Sequence, residues 1–338
     1  KKNTKKRTRA GKERKMNDEM IEQVIEVLKT KDNFMVTGHI NPEGDSIGSQ
    51  LSIFCILKKL GKKAVMAGNY TVPENLKFLP GTEYILSDIS GDFQPEIAIV
   101  LDCPTKGRVG NLAGRLDDVQ LIVNIDHHVS NEYFGEINWV EAESSSVGEM
   151  IFAIVEKMGI DLDHDISSAL YAAIVTDTGM FNYDNTSART HEVAGKLIAS
   201  GISPKAMHGR IFEDKDLSQI RVLGRVLTTI EVEESGRLAH MCLTRDMCEK
   251  EGVRDVATDE FINYPRSIKG VEVAVFFKER VNNPGAIDVS FRSSEEVDVD
   301  VIASRFGGGG HKRAAGCVVR GGIEKARENV LREVRKEL

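Results

Sequence analysis

Three short apolar runs, each ended by an acid or a histidine, constrain the fold of this chain more than any other feature. Residues 33–38 (Asn-Phe-Met-Val-Thr-Gly) run into His39, Ile97–Leu101 into Asp102, and Leu121–Ile125 into Asp126, His127 and His128. A further strand is expected near Lys63–Ala67. Helical periodicity separates these runs: Asn17–Thr30 carries Ile21, Val24, Ile25 and Leu28 on one face, and helices are expected at Ser46–Leu60, Ser146–Met158 and Asp165–Thr176. Continuous apolar strands alternating with helices predict an α/β domain built on a parallel sheet.

The texture changes past the middle of the chain. Residues 191–225 look helical and are expected to connect two domains. Val226–Glu233 and Arg237–Leu243 suggest a hairpin around Glu234-Ser235-Gly236. Strands near Val271–Phe277 and Ala286–Phe291 follow, then helices near Asp298–Arg305 and Ile323–Glu337. The expected organisation is a basic disordered tail over 1–15, a catalytic domain over 16–190, the connector, and a smaller α+β domain over 226–338, with a cleft between the domains. Two domains suit 338 residues.

Charge narrows the function. Residues 1–15 hold nine Lys or Arg against one Glu, so the net charge of −7 conceals a more acidic body. Coating long DNA or RNA needs a broad basic surface, which this body lacks. A small anionic ligand in a local site, with metal ions supplying positive charge, suits it better. The five cysteines show neither zinc spacing nor a disulfide framework, which points to reduced thiols and a cytoplasmic protein. No apolar run approaches the ~20 residues of a membrane span.

The chemistry lies at the strand ends. His39, Glu43 and Asp45 follow the first strand, Asp102 ends another, and Asp126-His127-His128 ends a third; Asp177 closes an apolar helix. In open parallel sheets ligands gather at the carboxyl ends of strands. Each residue alone has a structural explanation: His39 as a helix cap, Asp45 as an N-cap, Asp102 as a turn residue. Together, converging carboxylates repel unless cations sit among them. Mixed histidine and carboxylate ligands suit Mn²⁺, or Mg²⁺ or Co²⁺ in its place. Two such ions ~3.5–4 Å apart activate water and stabilise a pentacoordinate phosphorus.

These residues resemble the DHH phosphoesterases. Asp126-His127-His128 matches the motif that names the family, Gly38-His39 with Pro42-Glu43-Gly44-Asp45 resembles its first motif, and Asp102 and Asp177 fall at its second and fourth. Residues 306–316 (Phe-Gly-Gly-Gly-Gly-His-Lys-Arg-Ala-Ala-Gly) resemble the signature of the DHH-associated substrate-binding domain. The resemblance implies one metal held by His39, Glu43 and Asp102 and a second by Asp45, Asp102, His127 and Asp177, with Asp102 shared. It implies His128 near the scissile phosphate as a hydrogen-bond or proton donor, oriented by Asp126. Position 43 departs from the pattern, carrying Glu where Asp is usual, which implies an altered metal preference.

In the second domain Gly308, Gly309 and Gly310 are expected to bring backbone N–H groups against a phosphate, backed by His311, Lys312 and Arg313. Arg292 resembles a further family position that meets the substrate. A ligand gripped by both domains carries two phosphates separated by a nucleoside. The resemblance is therefore strongest to stand-alone family members acting on RNA of 2–5 residues, pApA and 3′-phosphoadenosine 5′-phosphate. Dedicated hydrolysis of cyclic-di-AMP or pApA is the alternative, expected less because membrane-anchored members carry upstream sensory segments. An inactive nucleotide sensor, suggested by Glu43, is a third. Homodimerisation is the default expectation, with no membrane partner.

Overall fold

The computed structural model describes residues 17–89, 93–233, 235–253, 256, 258, 260–281 and 283–338. The expected tail over 1–15 and Glu234 of the expected hairpin lie outside them. The chain divides into two compact units, residues 1–214 and 215–338.

The first unit opens on helix α1 (17–30) and strand β1 (Phe34–Thr37), followed by α2 (Gly44–Lys59), β2 (Ala64–Ala67) and β3 (Ile85–Leu86). Then come β4 (Ile97–Leu101), a kinked pair of 3-10 turns over Lys106–Asp117, β5 (Leu121–Asp126) and β6 (Ile137–Val140). Helices α3 (Val147–Met158), α4 (His164–Asp177), α5 (Ala188–Ala199) and α6 (Pro204–His208) complete the unit. The six strands run parallel in the order β3-β2-β1-β4-β5-β6. Burial on both faces explains the continuous apolar runs. Phe34, Val36, Ile99, Leu101, Val123 and Ile125 face the core beneath the major helices, whereas Met35, Ala98, Val100 and Ile122 face a second core completed by Val109, Leu112 and Leu116. Edge strands β3 and β6 went unpredicted; β3 has only two residues and β6 is mostly half-buried, so neither shows a long apolar run.

Two glycines set the spacing of the helices that carry the site. A Cβ on Gly48 of α2 would lie 2.3 Å from the carbonyl oxygen of Ala169 on α4, and one on Gly44 would lie 2.3 Å from Thr176 Oγ1. Backbones approach this closely only where side chains vanish. Asp45 and Asp177 are thereby carried on two helices in direct contact.

The second unit holds α7 (Leu217–Leu227), β7 (Glu231–Val232), β8 (Leu238–Leu243), α8 (Arg245–Lys250), α9 (Asn263–Arg266), β9 (Val273–Glu279) and β10 (Ala286–Ser293). It ends with α10 (Val299–Ser304), β11 (Gly309–His311), β12 (Ala314–Arg320) and α11 (Ile323–Val334). Its mixed sheet is ordered β11-β12-β10-β9-β8-β7; only β8 and β9 pair in parallel. Two expectations need correction. The helical stretch over 191–225 is not a separate connector: α5 and α6 belong to the first unit, and α7 to the second, where Val222 and Val226 are core residues. Val226 is therefore helical, because its apolar neighbours recur at helical rather than alternating spacing. The hairpin is left with the two-residue strand β7. Among the described residues no helix is long and apolar enough to cross a membrane.

Candidate metal centre

The strand order reverses direction between β1 and β4, and at that switch point a parallel sheet leaves an opening beyond its carboxyl ends. His39 follows β1 and Asp102 follows β4. Their side chains meet there, His39 Nε2 lying 3.2 Å from Asp102 Oδ2 and 3.2 Å from Glu43 Oε2. Asp102 holds φ at +53°, a left-handed conformation uncommon for residues with a side chain. Its N–H donates to Ile125 O at 3.0 Å, turning the carboxylate toward the end of β5.

The second oxygen of Asp102 serves a different set of side chains. Oδ1 lies 3.7 Å from His127 Nε2, which is 3.4 Å from Asp177 Oδ2 and 3.8 Å from Asp45 Oδ2. His39, Glu43 and Asp102 each offer a ligand atom within 4.8 Å of the others, and so do Asp45, His127 and Asp177. Asp102 thus turns one carboxylate oxygen to each group.

The surroundings fix each side chain. His127 Nδ1 donates to Ser144 O at 3.1 Å, which leaves the Nε2 lone pair toward the carboxylates. His39 is turned the other way, its Nδ1 accepting from Asn41 N at 3.3 Å and its Nε2 bonded to Asp102. Capping its own helix is the structural alternative for Asp45. Instead Glu43 is the N-cap of α2, its Oε1 accepting from Ser46 N at 3.1 Å while Oε2 reaches His39. The longer side chain at position 43 allows both contacts. Asp45 sits one residue inside α2 and accepts from Val147 N at 2.7 Å and Gly148 N at 2.9 Å, so it caps α3 across the core. A carboxylate there is favoured by the positive end of the helix dipole.

Charge at the centre is unbalanced. Burial pushes the Asp45 carboxyl up to about 6, against the attraction of His127 and the two amides. Burial, then repulsion from Glu43 and Asp45, holds Asp102 well above the usual carboxylate range. Among the described residues neither forms an ion pair with Lys or Arg. Burial opposes the charging of His127, yet Asp177 and Asp45 raise it. Buried hard oxygen donors with imidazole nitrogens and no balancing cation fit divalent metal ions.

His128 Nδ1 donates to Asp126 Oδ1 at 2.8 Å and lies 3.5 Å from Asp102 Oδ1. Burial lowers its affinity for a proton more than Asp126 restores it. Asp126 is held below the usual range: burial opposes its charge, but His128 and Asn131 outweigh that. Asn131 was missed in the sequence. Its Nδ2 donates to Asp126 Oδ2 at 2.6 Å and to Asn124 Oδ1 at 2.8 Å. Asn124 in turn donates to Val100 O and Cys103 O, locking the β4 and β5 loops together. An amide inside the otherwise apolar strand Leu-Ile-Val-Asn-Ile marks Asn124, whereas Asn131 itself carries no such signal. Asn185, also missed, donates to Ser145 O at 2.8 Å and Asp177 O at 3.1 Å, tying the Asp177 loop to the segment that orients His127. Ser146 is the N-cap of α3, its side chain accepting from Glu149 N at 3.1 Å.

The other expected site residues lie in the second unit. The glycines have a structural account. Gly307 N donates to Ser304 O and Gly308 N to Ala303 O, with Gly307 at φ +73°, which is a glycine-terminated end to α10. Gly310 N donates to Asp300 Oδ1 at 2.8 Å, so these amides are already engaged within the chain. Side chains offer more. His311, Ala314 and Arg292 lie directly opposite one another across β11, β12 and β10 and share one face of the sheet. The next row is Gly309, Gly316 and Ser290, a floor of small residues. Arg292 Nη1 donates to Phe291 O at 2.9 Å, while its buried Nε has no hydrogen-bond partner. Lys312 is exposed in the turn; Arg313 is bound to Val297 O at 3.3 Å.

Comparison with known proteins gives the family. Residues 33–174 match the family model described as DHH family, N-terminal domain, and residues 237–338 match the DHHA1 domain. The chain belongs to the DHH family. It is 32% identical to the bifunctional oligoribonuclease and PAP phosphatase NrnA of Thermus thermophilus, over 95% of each chain. Against the Bacillus subtilis protein of that name it is 27% identical, covering 88% of this chain and 92% of the other. The crystal structure of an exopolyphosphatase-related protein from Bacteroides fragilis superposes with a TM-score of 0.86 at 25% identity, over 94% and 96% of the two chains.

Proposed function

We propose that the chain hydrolyses very short RNA, including pApA, to 5′-mononucleotides, and 3′-phosphoadenosine 5′-phosphate to AMP, as a metal-dependent phosphoesterase. The observation that carries the reading is the division of Asp102 between two sets of donor atoms. The substrate class is supported by relatives of that stated activity matching nearly the whole chain.

His39, Glu43 and Asp102 are assigned to one divalent ion, and Asp45, Asp102, His127 and Asp177 to the other, with Mn²⁺ the ion best suited to this donor set. Such a pair of ions supplies a nucleophilic water at neutral pH and neutralises charge on the phosphoryl oxygens. The protein does the rest. Ser144 holds His127 in the ligating tautomer, and Val147 and Gly148 hold Asp45 in place. Asp126 keeps the proton of His128 on Nδ1, so in the neutral ring Nε2 accepts. An anionic phosphodiester alongside favours the imidazolium, whose Nε2–H then stabilises the phosphoryl oxygens or protonates the leaving oxygen. In the second unit Arg292, His311 and Lys312 are the side chains we assign to a further phosphate; the Gly308–Gly310 amides shape the turn that presents them.

The test is a turnover panel with Mn²⁺ on pAp, pApA, RNA of 2–10 residues and cyclic-di-AMP. Hydrolysis of pApA and the shortest RNAs, falling with length, is expected. Absence of turnover on every di- to tetranucleotide and on pAp refutes the reading.

A further inference from the structure

Five non-glycine residues among those described hold positive φ, and four belong to the loops around the metal centre: Asp102, Tyr133, Met180 and Phe181. Asp102 has its reason in the site. Tyr133, at φ +53°, has none from packing, because its side chain is 63% exposed and makes no hydrogen bond or ring contact among the described residues. Strained backbone persists only where its surroundings enforce it, and strain concentrated at a site points to function.

The enforcement is visible. Tyr133 N donates to Asn131 Oδ1 at 2.7 Å, and the same Asn131 side chain donates to Asp126 Oδ2, whose other oxygen holds His128. Glu132 N donates to Pro104 O at 2.9 Å, fastening the loop to the segment after Asp102. The backbone beneath Tyr133 is therefore tied through three hydrogen bonds to the histidine beside the reacting phosphate. Tyr133 is largely exposed, as is Val129 earlier in the same loop, so its aromatic face is open.

We propose that Tyr133 is the platform on which a nucleobase of the substrate stacks, a specificity-determining residue that rests on the nucleotide reading above. Stacking engages the π face common to all bases, so it selects nucleotides over other phosphate esters with little preference among bases. That selectivity suits an enzyme clearing short RNA of any sequence.

The test compares binding of AMP and of its base-free counterpart, ribose 5-phosphate, to the Mn²⁺-loaded protein by calorimetry. The unaltered chain is expected to bind AMP at least ten-fold more tightly than ribose 5-phosphate. In Tyr133→Ala that ratio is expected to shrink about ten-fold, with ribose 5-phosphate binding unchanged; Tyr133→Phe is expected to keep the ratio within about two-fold, because Phe retains the aromatic face. A Tyr133→Ala protein that keeps its preference for AMP, or that weakens both ligands equally, overturns the proposal. Hydrolysis of pApA by the unaltered chain is read separately: a preference for AMP without turnover sinks the hydrolase reading and upholds the stacking.

Discussion

Replacing Gly48 with Ala tests whether the close approach of α2 and α4 builds the metal centre. The new methyl would stand 2.3 Å from Ala169 O and 3.1 Å from Ala173 Cβ. Carbon–oxygen contacts settle near ~3.3 Å or beyond, so the helices must part by about 1 Å. Overpacking a close-packed interior costs about 1–3 kcal/mol, partly offset by the ~1 kcal/mol by which Ala outranks Gly inside a helix. The larger effect falls on the ligands. Metal sites tolerate errors of roughly 0.2 Å, and the helices that move carry Asp45 and Asp177. Mn²⁺ affinity at the site these residues share is expected to drop ~10–100-fold, as when supporting contacts of a metal ligand are lost. Urea unfolding of the metal-free protein and Mn²⁺ calorimetry measure the two terms. Gly195→Ala is the control: that glycine lies exposed in α5 with open space around it, and the change is expected to stabilise by about 0.5–1 kcal/mol. A Gly48→Ala protein of unaltered stability and Mn²⁺ affinity refutes the reasoning.

Three further outcomes are expected. In the metal-free protein Asp45, at about 6, and Asp102 and His127, all hold protons above their unfolded values. Taken alone, these three lower Tm as pH rises from about 4 through the Asp45 value, because the charged carboxylates are disfavoured in the fold; Glu43, Asp126 and His128, whose affinities for protons are lowered, act in the opposite direction. Mn²⁺ replaces those protons, so the rise in Tm on adding metal grows with pH and affinity falls about ten-fold per unit below pH 6 for each proton displaced. A metal-induced rise independent of pH between 5 and 8 contradicts this. Asn131→Ala removes the hydrogen bonds that hold Asp126 and Tyr133 and is expected to lower kcat on pApA by about ten-fold or more with Mn²⁺ affinity within two-fold; equal loss of both points to a general structural defect. His311→Ala is expected to raise KM chiefly for doubly phosphorylated substrates, and equal effects on a simple aryl phosphodiester count against a phosphate contact there.

Much of the architecture was legible because parallel strands buried on both faces need uninterrupted apolar residues. Ile97–Leu101 and Leu121–Ile125 could hardly be anything else, and the acids and histidines ending them are among the side chains that the fold brings together as candidate metal ligands. Short edge strands β3 and β6 gave no such signal. The end of α7 was misplaced because apolar residues at 222, 223 and 226 fit a helix while the residues just beyond alternate. Local spacing offers Asp45 as a cap of its own helix, but Glu43 takes that place and Asp45 accepts from the first amides of a helix 102 residues away. Gly308, Gly309 and Gly310 were expected to bring their amides to a phosphate; Gly308 N is bonded within the end of α10 and Gly310 N to the Asp300 carboxylate. Asn131 and Asn185 could not be singled out, since loop asparagines are common and only the fold shows which backbone groups they join.

Equilibrium titration of the metal-free protein with Mn²⁺, followed by electron paramagnetic resonance, addresses the shared carboxylate most directly. Two ions per chain with a spin-coupled signal are expected, and Asp102→Ala, still folded, is expected to lose the coupling along with hydrolysis of pApA. A single uncoupled ion in the unaltered chain, or a coupled pair that survives without Asp102, contradicts the account.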